Sequence, residues 1–438
     1  MNYEHALILS FEGPDGYSMI GGLGTRVTDL AAALGASGAE TKLLFVGDPA
    51  KPAIETIAPN VEYRRWAQWI SGYYPAGVYD GEIAKINDIN ASVPRFVVDH
   101  IVTPAARAGE RVLIIAEEWQ MARAIIEIDR VLRERGLRHT AALLWNANNT
   151  YGFDFIDWGA MRYAATVTTV SRYMKFELRA VGVEALVVPN GIADRLLVGA
   201  DPKLADALEH ALPQRPLYVK IGRFDPDKRW IQAIDAFALT HARYPNARLI
   251  IRGGREAYGA EVLARAAGHE LSVETIAVPS REPKALIDAL AGTRAAIVDI
   301  RSFVPDALLY ALYSVADAVI ANSGKEPFGL VGLEVMAAGG LAVCGSTGEE
   351  YADPFVNSIV CDTSDPLELA AFLEMSLTDT ALARSMRAAG RTTAAHFAWS
   401  RVLALLARKL RYVERTRDRR SGGRDGLPAD GLTGLASL

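Results

Sequence analysis

The stretch Ala318-Val319-Ile320-Ala321-Asn322-Ser323-Gly324-Lys325-Glu326-Pro327-Phe328-Gly329-Leu330-Val331-Gly332-Leu333-Glu334 decides the architecture. Its first four residues are small and apolar or β-branched and read as a buried strand. A Gly/Pro-containing loop follows, and the apolar run beyond it opens a helix that continues to about Ala338. A strand that feeds a helix through a short loop is the repeating unit of a parallel sheet wrapped by helices. Gly329 lets backbone amides approach a ligand closely, and a helix N-terminus at that point favours a phosphate. Glu326 sits in the loop and Glu334 lies further down the helix, so the two carboxylates do not point the same way. They suit hydroxyls at two places on a long ligand. A capping Glu plus a surface Glu fits the spacing equally well.

The same strand–loop–helix alternation extends in both directions. Strand-like runs before the middle of the chain are Ala6–Ser10, Lys42–Val46, Val112–Ala116, Ala141–Trp145, Thr166–Val170 and Leu186–Val188. After it come Leu217–Ile221, Arg248–Arg252, Ala295–Ile300, Ala318–Ala321 and Leu341–Cys344. Two such series predict an α/β protein of two Rossmann-like, doubly wound domains. The 438 residues agree, since about 200 residues per domain is the natural size. Val188-Pro189-Asn190-Gly191-Ile192 ends a strand and turns the chain, which places the seam there. The expected division is 1–190, 191–399, a final helix over 400–415 packing back on the first domain, and a disordered tail over 416–438 rich in Arg, Gly and Asp. The basic run between Arg408 and Arg420 reads as a solvated helix end or as a contact for an anionic surface.

Composition excludes several classes. A net charge of −5 argues against general affinity for nucleic acid. No apolar run approaches the roughly 20 residues of a membrane helix, and Met1-Asn2-Tyr3-Glu4-His5 lacks a signal-peptide start. A cytoplasmic protein is expected. Cys344 and Cys361, the two cysteines, lie in apolar strand-like runs and read as reduced core thiols. The seven histidines are scattered singly, away from metal-ligand spacing, so no metal site is expected.

Two further loops carry chemistry. Ile221-Gly222-Arg223-Phe224-Asp225-Pro226-Asp227-Lys228 follows the strand Leu217–Ile221. It sets Arg223 and Lys228 at the C-terminal end of a strand, where ligands bind in open α/β sheets, and two cations there suit a pyrophosphate. Ordinary surface cations remain the alternative. The loop after the first strand holds Gly13, Gly16 and Ile20-Gly21-Gly22-Leu23-Gly24 before a helical stretch to Leu34. It is too long for a dinucleotide turn and matches neither G-x-G-x-x-G nor G-x-x-x-x-G-K-[ST], which disfavours nicotinamide and flavin enzymes and P-loop kinases.

Taken jointly, these segments resemble the glycogen-synthase-like retaining glycosyltransferases, family 4, of GT-B fold, from Gly21 to about Glu414. Glu326 to Glu334 is similar to the E-x7-E signature, with Pro327-Phe328-Gly329-Leu330 inside it. Gly222-Arg223 with Lys228 is similar to the G-R-x4-K element. Val170-Ser171 through Met174-Lys175, Glu177-Leu178 and Gly182 to Val188-Pro189-Asn190-Gly191 resembles the segment leading into the hinge, and Gly21-Gly22-Leu23 the N-terminal glycine loop. The resemblance implies a nucleotide-diphosphate-sugar donor, no cofactor and no metal. It implies that Arg223 and Lys228, beside Gly222, hold the diphosphate. Glu326 would bind donor-sugar hydroxyls with amides near Phe328, Gly329 and Leu330, and Glu334 the ribose. Gly21 and Gly22 would close over the phosphates from the other domain. The implied reaction is hexosyl transfer with retention to a small-molecule or saccharide acceptor.

The departures fall on the acceptor side. Met19 stands where glycogen-synthase-type members carry Lys. Asn148-Asn149 stand in place of His-Asn, and Glu117-Glu118-Trp119-Gln120 in place of a His-preceded Asp-Trp pair. Glu117, Glu118, Trp119, Asn148 and Asn149 are therefore the acceptor-side candidates, with an acceptor unlike a growing α-glucan. Glu117 or Glu118 orients an acceptor hydroxyl or serves a helix N-terminus. The rewritten half also motivates two other readings: a nucleotide-sugar-binding protein of weakened turnover, and a different enzyme of the same fold such as an epimerase.

Overall fold

Leu7, Ile8 and Leu9 are fully buried because parallel strands flank them on both sides and helices cover both faces. They belong to β1 (His5–Leu9), near the middle of an eight-stranded sheet. Its other strands are β2 (Glu40–Val46), β3 (Ile54–Ala58), β4 (Val61–Trp66), β5 (Val112–Glu117), β6 (Ala141–Ala147), β7 (Thr166–Thr169) and β8 (Leu186–Val187). The spatial order is β3-β4-β2-β1-β5-β6-β7-β8, parallel except for the β3–β4 hairpin at one edge. In a computed structural model that describes residues 3–422, with side chains through Glu414, the second sheet has seven strands, all parallel. These are β9 (Leu217–Ile221), β10 (Arg248–Arg252), β11 (Val273–Ile276), β12 (Ile297–Ile300), β13 (Ala318–Ala321), β14 (Ala342–Cys344) and β15 (Ile359–Val360), in the order β11-β12-β10-β9-β13-β14-β15. Both sheets are doubly wound, the α/β architecture that the alternating runs predict.

Four strands had no expectation in the sequence. β3 and β4 read Ile-Glu-Thr-Ile-Ala and Val-Glu-Tyr-Arg-Arg-Trp, and β11 reads Val-Glu-Thr-Ile. β3 and β11 are edge strands and β4 lies next to the edge, and all three interleave polar with apolar residues, so they lack the continuous apolar run of a central parallel strand. β15 is two residues long.

The helices that position the site are α1 (Gly22–Ala36), α2 (Glu82–Val97), α3 (Arg172–Ala180), α4 (Leu330–Ala338) and α5 (Trp399–Gly422). Ser171 caps α3 by accepting from the Met174 amide (3.1 Å). In α5, Trp399, Val402, Leu403, Leu406 and Leu410 join a core cluster with Leu30 and Leu34 of α1, so this helix packs against the first sheet's layer. The chain passes between the sheets twice, side by side: Ile192 N–H donates to Phe397 O (2.8 Å) and Trp399 N–H to Ile192 O (3.0 Å).

One expectation needs correction. Residues 416–422, assigned to a disordered tail, continue α5. Arg-rich sequence has good helix propensity, and extending an existing helix costs no new nucleus. The rest of the expected tail, 423–438, lies outside the described residues. No described helix is long and apolar enough to cross a membrane.

Candidate functional site

The loops that follow β9 and β13, adjacent parallel strands, meet at the C-terminal edge of the second sheet. Gly222 ends β9 at φ +155°, a backbone region that favours glycine. Asp225 then accepts from the Asp227 amide (2.9 Å) and closes a tight turn over Pro226–Lys228. The Gly324 amide donates to Asp227 O (2.7 Å) and ties the two loops together. Lys228 Nζ thereby donates to Glu326 Oε2. The structure brings together this cation and carboxylate, which lie 98 residues apart in sequence. Arg223 stays at the surface. Its carbonyl accepts from Trp230 Nε1 (2.7 Å), and its guanidinium has no partner among the described residues.

Gly329 initiates α4 at φ +78°. A Cβ there would lie 2.6 Å from Glu349 Cγ, 3.1 Å from the Tyr351 hydroxyl and 3.2 Å from Glu326 Cγ, so only glycine fits. Its carbonyl accepts from that Tyr351 hydroxyl. The Phe328 ring is core, packed on Tyr351 and Phe397 at 5.6 and 5.9 Å, so only its backbone is placed to serve a ligand. Leu330 opens the helix and faces the other domain. A Cβ on Gly22 of α1 would sit 3.6 Å from Leu330 Cδ1, so the two lips of the cleft touch. Glu334 lies one turn further along α4, away from Glu326. Burial first, then the charges of Asp306 and Asp29, push its carboxyl up to about 8.

Three groups beside the Lys228–Glu326 pair escape the sequence reading. Lys220, inside β9, donates to Asn322 Oδ1 (2.6 Å), and Asn322 in turn donates to Gln232 Oε1 (2.8 Å). Burial, with Lys228 nearby, lowers the Lys220 ammonium to about 7. Thr347 Oγ1 accepts from the Glu326 amide (2.8 Å) and fixes the loop. Glu349 is buried, accepts from the Thr347 amide (3.3 Å), and keeps Oε1 without a partner. Burial and the charge of Glu326 raise its carboxyl to about 8. A lysine inside an apolar strand and a glutamate beyond the Glu326–Glu334 spacing carry no signal in a single sequence.

Across the cleft, the glycine loop differs from expectation. The Gly21 amide does not point free for a phosphate but donates to Glu12 Oε2 (3.2 Å), as does the Gly24 amide (3.1 Å). An internal carboxylate caps this helix start, which leaves Gly22 as the exposed lip.

The acceptor-side candidates form one network. Glu117 ends β5, fully buried, paired with Arg26 Nε (3.2 Å), and accepts from Asn146 Nδ2 (2.8 Å) and Asn148 Nδ2 (2.7 Å). Its oxygens are occupied by protein groups, which leaves Glu118 as the one of the two acidic candidates with fewer protein partners. Glu118, at φ +67°, accepts from the Asn148 amide (2.6 Å). Neither carboxylate caps a helix. Burial first, and the charge of Glu117, raise Glu118 to about 8. Asn149 closes its own turn by accepting from the Tyr151 amide (2.7 Å). Trp119 meets Phe155 and Tyr151 at 5.1 and 6.1 Å, and its Nε1 has no partner. Between the domains lies an open cavity of 430 Å³ lined by Arg172, Tyr173, Phe176, Ser346, Thr347 and Glu350. The Glu350 carboxylate accepts from the Arg172 amide across it. No group of three or more His, Cys, Asp or Glu side chains among the described residues is arranged to hold a metal ion.

A family model described as glycosyl transferases group 1 matches residues 296–393, which include Glu326, Gly329, Glu334 and Glu349. D-inositol 3-phosphate glycosyltransferase of Salinispora arenicola is 29% identical over 254 residues, 52% of this chain and 56% of that protein. The chain thus spans little more than half the length of this curated relative. Sucrose-phosphate synthase from Thermosynechococcus elongatus superposes with a TM-score of 0.65 at 20% identity, covering 94% of this chain and 100% of that one. An α,α-trehalose-phosphate synthase (UDP-forming) from Burkholderia xenovorans, in complex with glucose-6-phosphate, gives 0.65 at 15%, covering 93% and 100%. An Anabaena protein in complex with UDP gives 0.61 at 17%, again covering 93% and 100%. At these identities the structures speak for the fold. The matched domain and the two doubly wound sheets agree: the chain carries a group 1 glycosyltransferase domain on a GT-B frame.

Proposed function

We propose that the protein moves a hexosyl group from a nucleotide-diphosphate sugar to a hydroxyl acceptor, with retention of configuration and without a metal or other cofactor. The observation that carries this reading is the Lys228–Glu326 pair held beside the N-terminus of α4, with Gly22 of the opposite domain against Leu330. As the glycosidic bond breaks, negative charge grows on the departing diphosphate and positive charge on the sugar ring. Lys228, the unpartnered Arg223 guanidinium and the first amides of α4 stabilise the diphosphate. Glu326 exchanges Lys228 for donor-sugar hydroxyls. The raised Glu334 carboxyl is protonated near neutral pH and donates to or accepts from a ribose hydroxyl. The touching lips exclude water and favour transfer over hydrolysis. Buried free thiols at Cys344 and Cys361 suit a cytoplasmic setting.

The trehalose-phosphate synthase is UDP-forming and the Anabaena protein was solved with UDP, so UDP is the first nucleotide to try. The test is thermal stability of the full chain against UDP, GDP, ADP and their sugar conjugates. A ligand at a hundred times its dissociation constant adds about 2.7 kcal/mol to the folded state. One base standing out supports the donor pocket; silence across the panel overturns it. Met19, exposed on the glycine lip where related enzymes carry Lys, favours a second reading, a nucleotide-sugar-binding protein of low turnover. Donor binding with no transfer across a broad acceptor screen selects it.

A further inference from the structure

The first domain's wall of the cleft is built from carboxylates. Glu12 follows β1 and is buried; Oε2 holds the Gly21 and Gly24 amides, and Oε1 accepts from the Tyr79 hydroxyl (2.6 Å). Tyr79 stands against Phe11 (5.7 Å between rings). Burial, then the charges of Glu12, Glu118 and Glu82, drive its hydroxyl far above the usual phenol range. Glu82, at the start of α2, accepts from Gln120 Nε2 (3.0 Å). Gln120 is only 4% exposed, and the oxygen of that same amide has no partner. The Trp119 indole N–H next to it is also unpaired. Five polar side chains thus converge around Tyr79 at the C-terminal edge of β1 and β5, the edge at which open α/β sheets bind ligands.

Two cations of this wall, Arg26 and Lys85, are already enclosed. Arg26 is buried between Glu117 and Asn190. Lys85, wholly buried, donates to the carbonyls of Gly77, Val78 and Asp80 and to the Tyr17 hydroxyl. Arg172 is exposed, but it lies on the separate cavity beside Ser346 and Thr347, where Glu350 stands 3.4 Å away. A phosphomonoester brought to the wall would face Glu12 and Glu82 without a matching guanidinium fork, and like charges in a low-dielectric cleft repel strongly. Hydroxyl and ammonium groups would instead donate to these carboxylates and to the orphan Gln120 oxygen.

We infer that the acceptor is a polyol or amino sugar that carries no phosphate, bound through Glu82, Gln120 and Tyr79, with Glu12 holding Tyr79 in place. This rests on the glycosyl-transfer reading above. It sets the protein apart from relatives named for sugar or polyol phosphates.

Saturation-transfer NMR on the full chain tests it, with glucose, glucosamine and glucose-6-phosphate as probes. Whichever of UDP, GDP or ADP stabilises the chain is present throughout. Glucose and glucosamine are expected to bind at least ten times more tightly than glucose-6-phosphate. Glu82→Gln should narrow that gap at least threefold without a change in melting temperature or in nucleotide affinity, a combination that a merely structural role would not give. If Glu82→Gln destabilises the fold, Gln120→Glu supplies the reciprocal test and should widen the gap between glucosamine and glucose-6-phosphate. Equal or tighter binding of glucose-6-phosphate overturns the inference and leaves the donor assignment standing. Binding of none of the three removes this wall as the acceptor site. Failure of every nucleotide to stabilise the chain overturns the donor assignment and the inference with it.

Discussion

Replacing Gly329 with alanine separates the demands on this residue. At φ +78° any L-residue is strained by about 1–2 kcal/mol. The new methyl would also lie 2.6 Å from Glu349 Cγ, with Tyr351 and Glu326 just beyond, and such overpacking costs about 1–3 kcal/mol. Loss of chain entropy in the unfolded state returns about 0.4–1 kcal/mol. The net expectation for Gly329→Ala is a destabilisation of about 1–4.5 kcal/mol. Gly182→Ala is the control, because Gly182 has φ +73° but open space where a Cβ would stand. It carries the conformational cost alone, about 0–1.5 kcal/mol after the same correction. Urea unfolding of both variants isolates the contact by difference. The contact pushes on Glu326, so donor turnover should fall in Gly329→Ala below what its folded fraction explains, while Gly182→Ala keeps it. Equal stabilities, or full turnover in Gly329→Ala, would refute the idea that the loop needs glycine to seat Glu326 beside Lys228.

Two other outcomes follow from the same geometry. Lys228→Ala should weaken nucleotide diphosphates by about 10- to 100-fold, the worth of a charge-assisted hydrogen bond of roughly 1.5–3 kcal/mol, and leave nucleosides unchanged; calorimetric titration of UDP against uridine checks it, and equal weakening would mean the ammonium does not reach the phosphates. Glu349→Gln should flatten the pH dependence of stability. The folded carboxyl, raised to about 8, keeps its proton where the unfolded one has lost it, so its contribution is complete below pH 4.5 and shrinks as pH climbs towards 8. The slope is at most about 1.4 kcal/mol per pH unit for one group, and denaturation series at several pH values should lack that share of the decline in the variant.

The sequence discloses the frame because central parallel strands are continuous apolar runs, and eleven of them were readable as such. It misses β3, β4 and β11 because they lie at or next to a sheet edge and interleave polar with apolar residues, whereas the readable pattern follows burial on both faces. The donor loops were legible because glycines, cations and carboxylates stand at strand ends in fixed spacing. Legibility stops at groups whose role depends on what tertiary packing brings beside them. Glu12 is one carboxylate among many until Gly21, Gly24 and Tyr79 surround it, and Glu117 invites a substrate role until Arg26, from 91 residues earlier, consumes it. Sequence spacing also cannot distinguish an amide free to bind phosphate from one already capped, as the Gly21 amide is by Glu12.

The two halves of the site are joined through a short path at the seam. Gly191 lies against Trp399, whose ring would come within 2.3 Å of a Cβ there, so the two crossing segments pack backbone to indole. Arg26 stands 5.6 Å from that same ring and bonds Asn190, within the first crossing. Its other bond runs to Glu117, which orients Asn146 and Asn148. Asn190, Gly191 and Trp399 thus meet where the two crossing segments pass between the sheets. Arg26 ties that crossing to Glu117 at the end of β5, and buried ionic partners resist separation. One buried guanidinium therefore couples the seam to the edge of the first sheet, a position that neither half of the cleft explains alone.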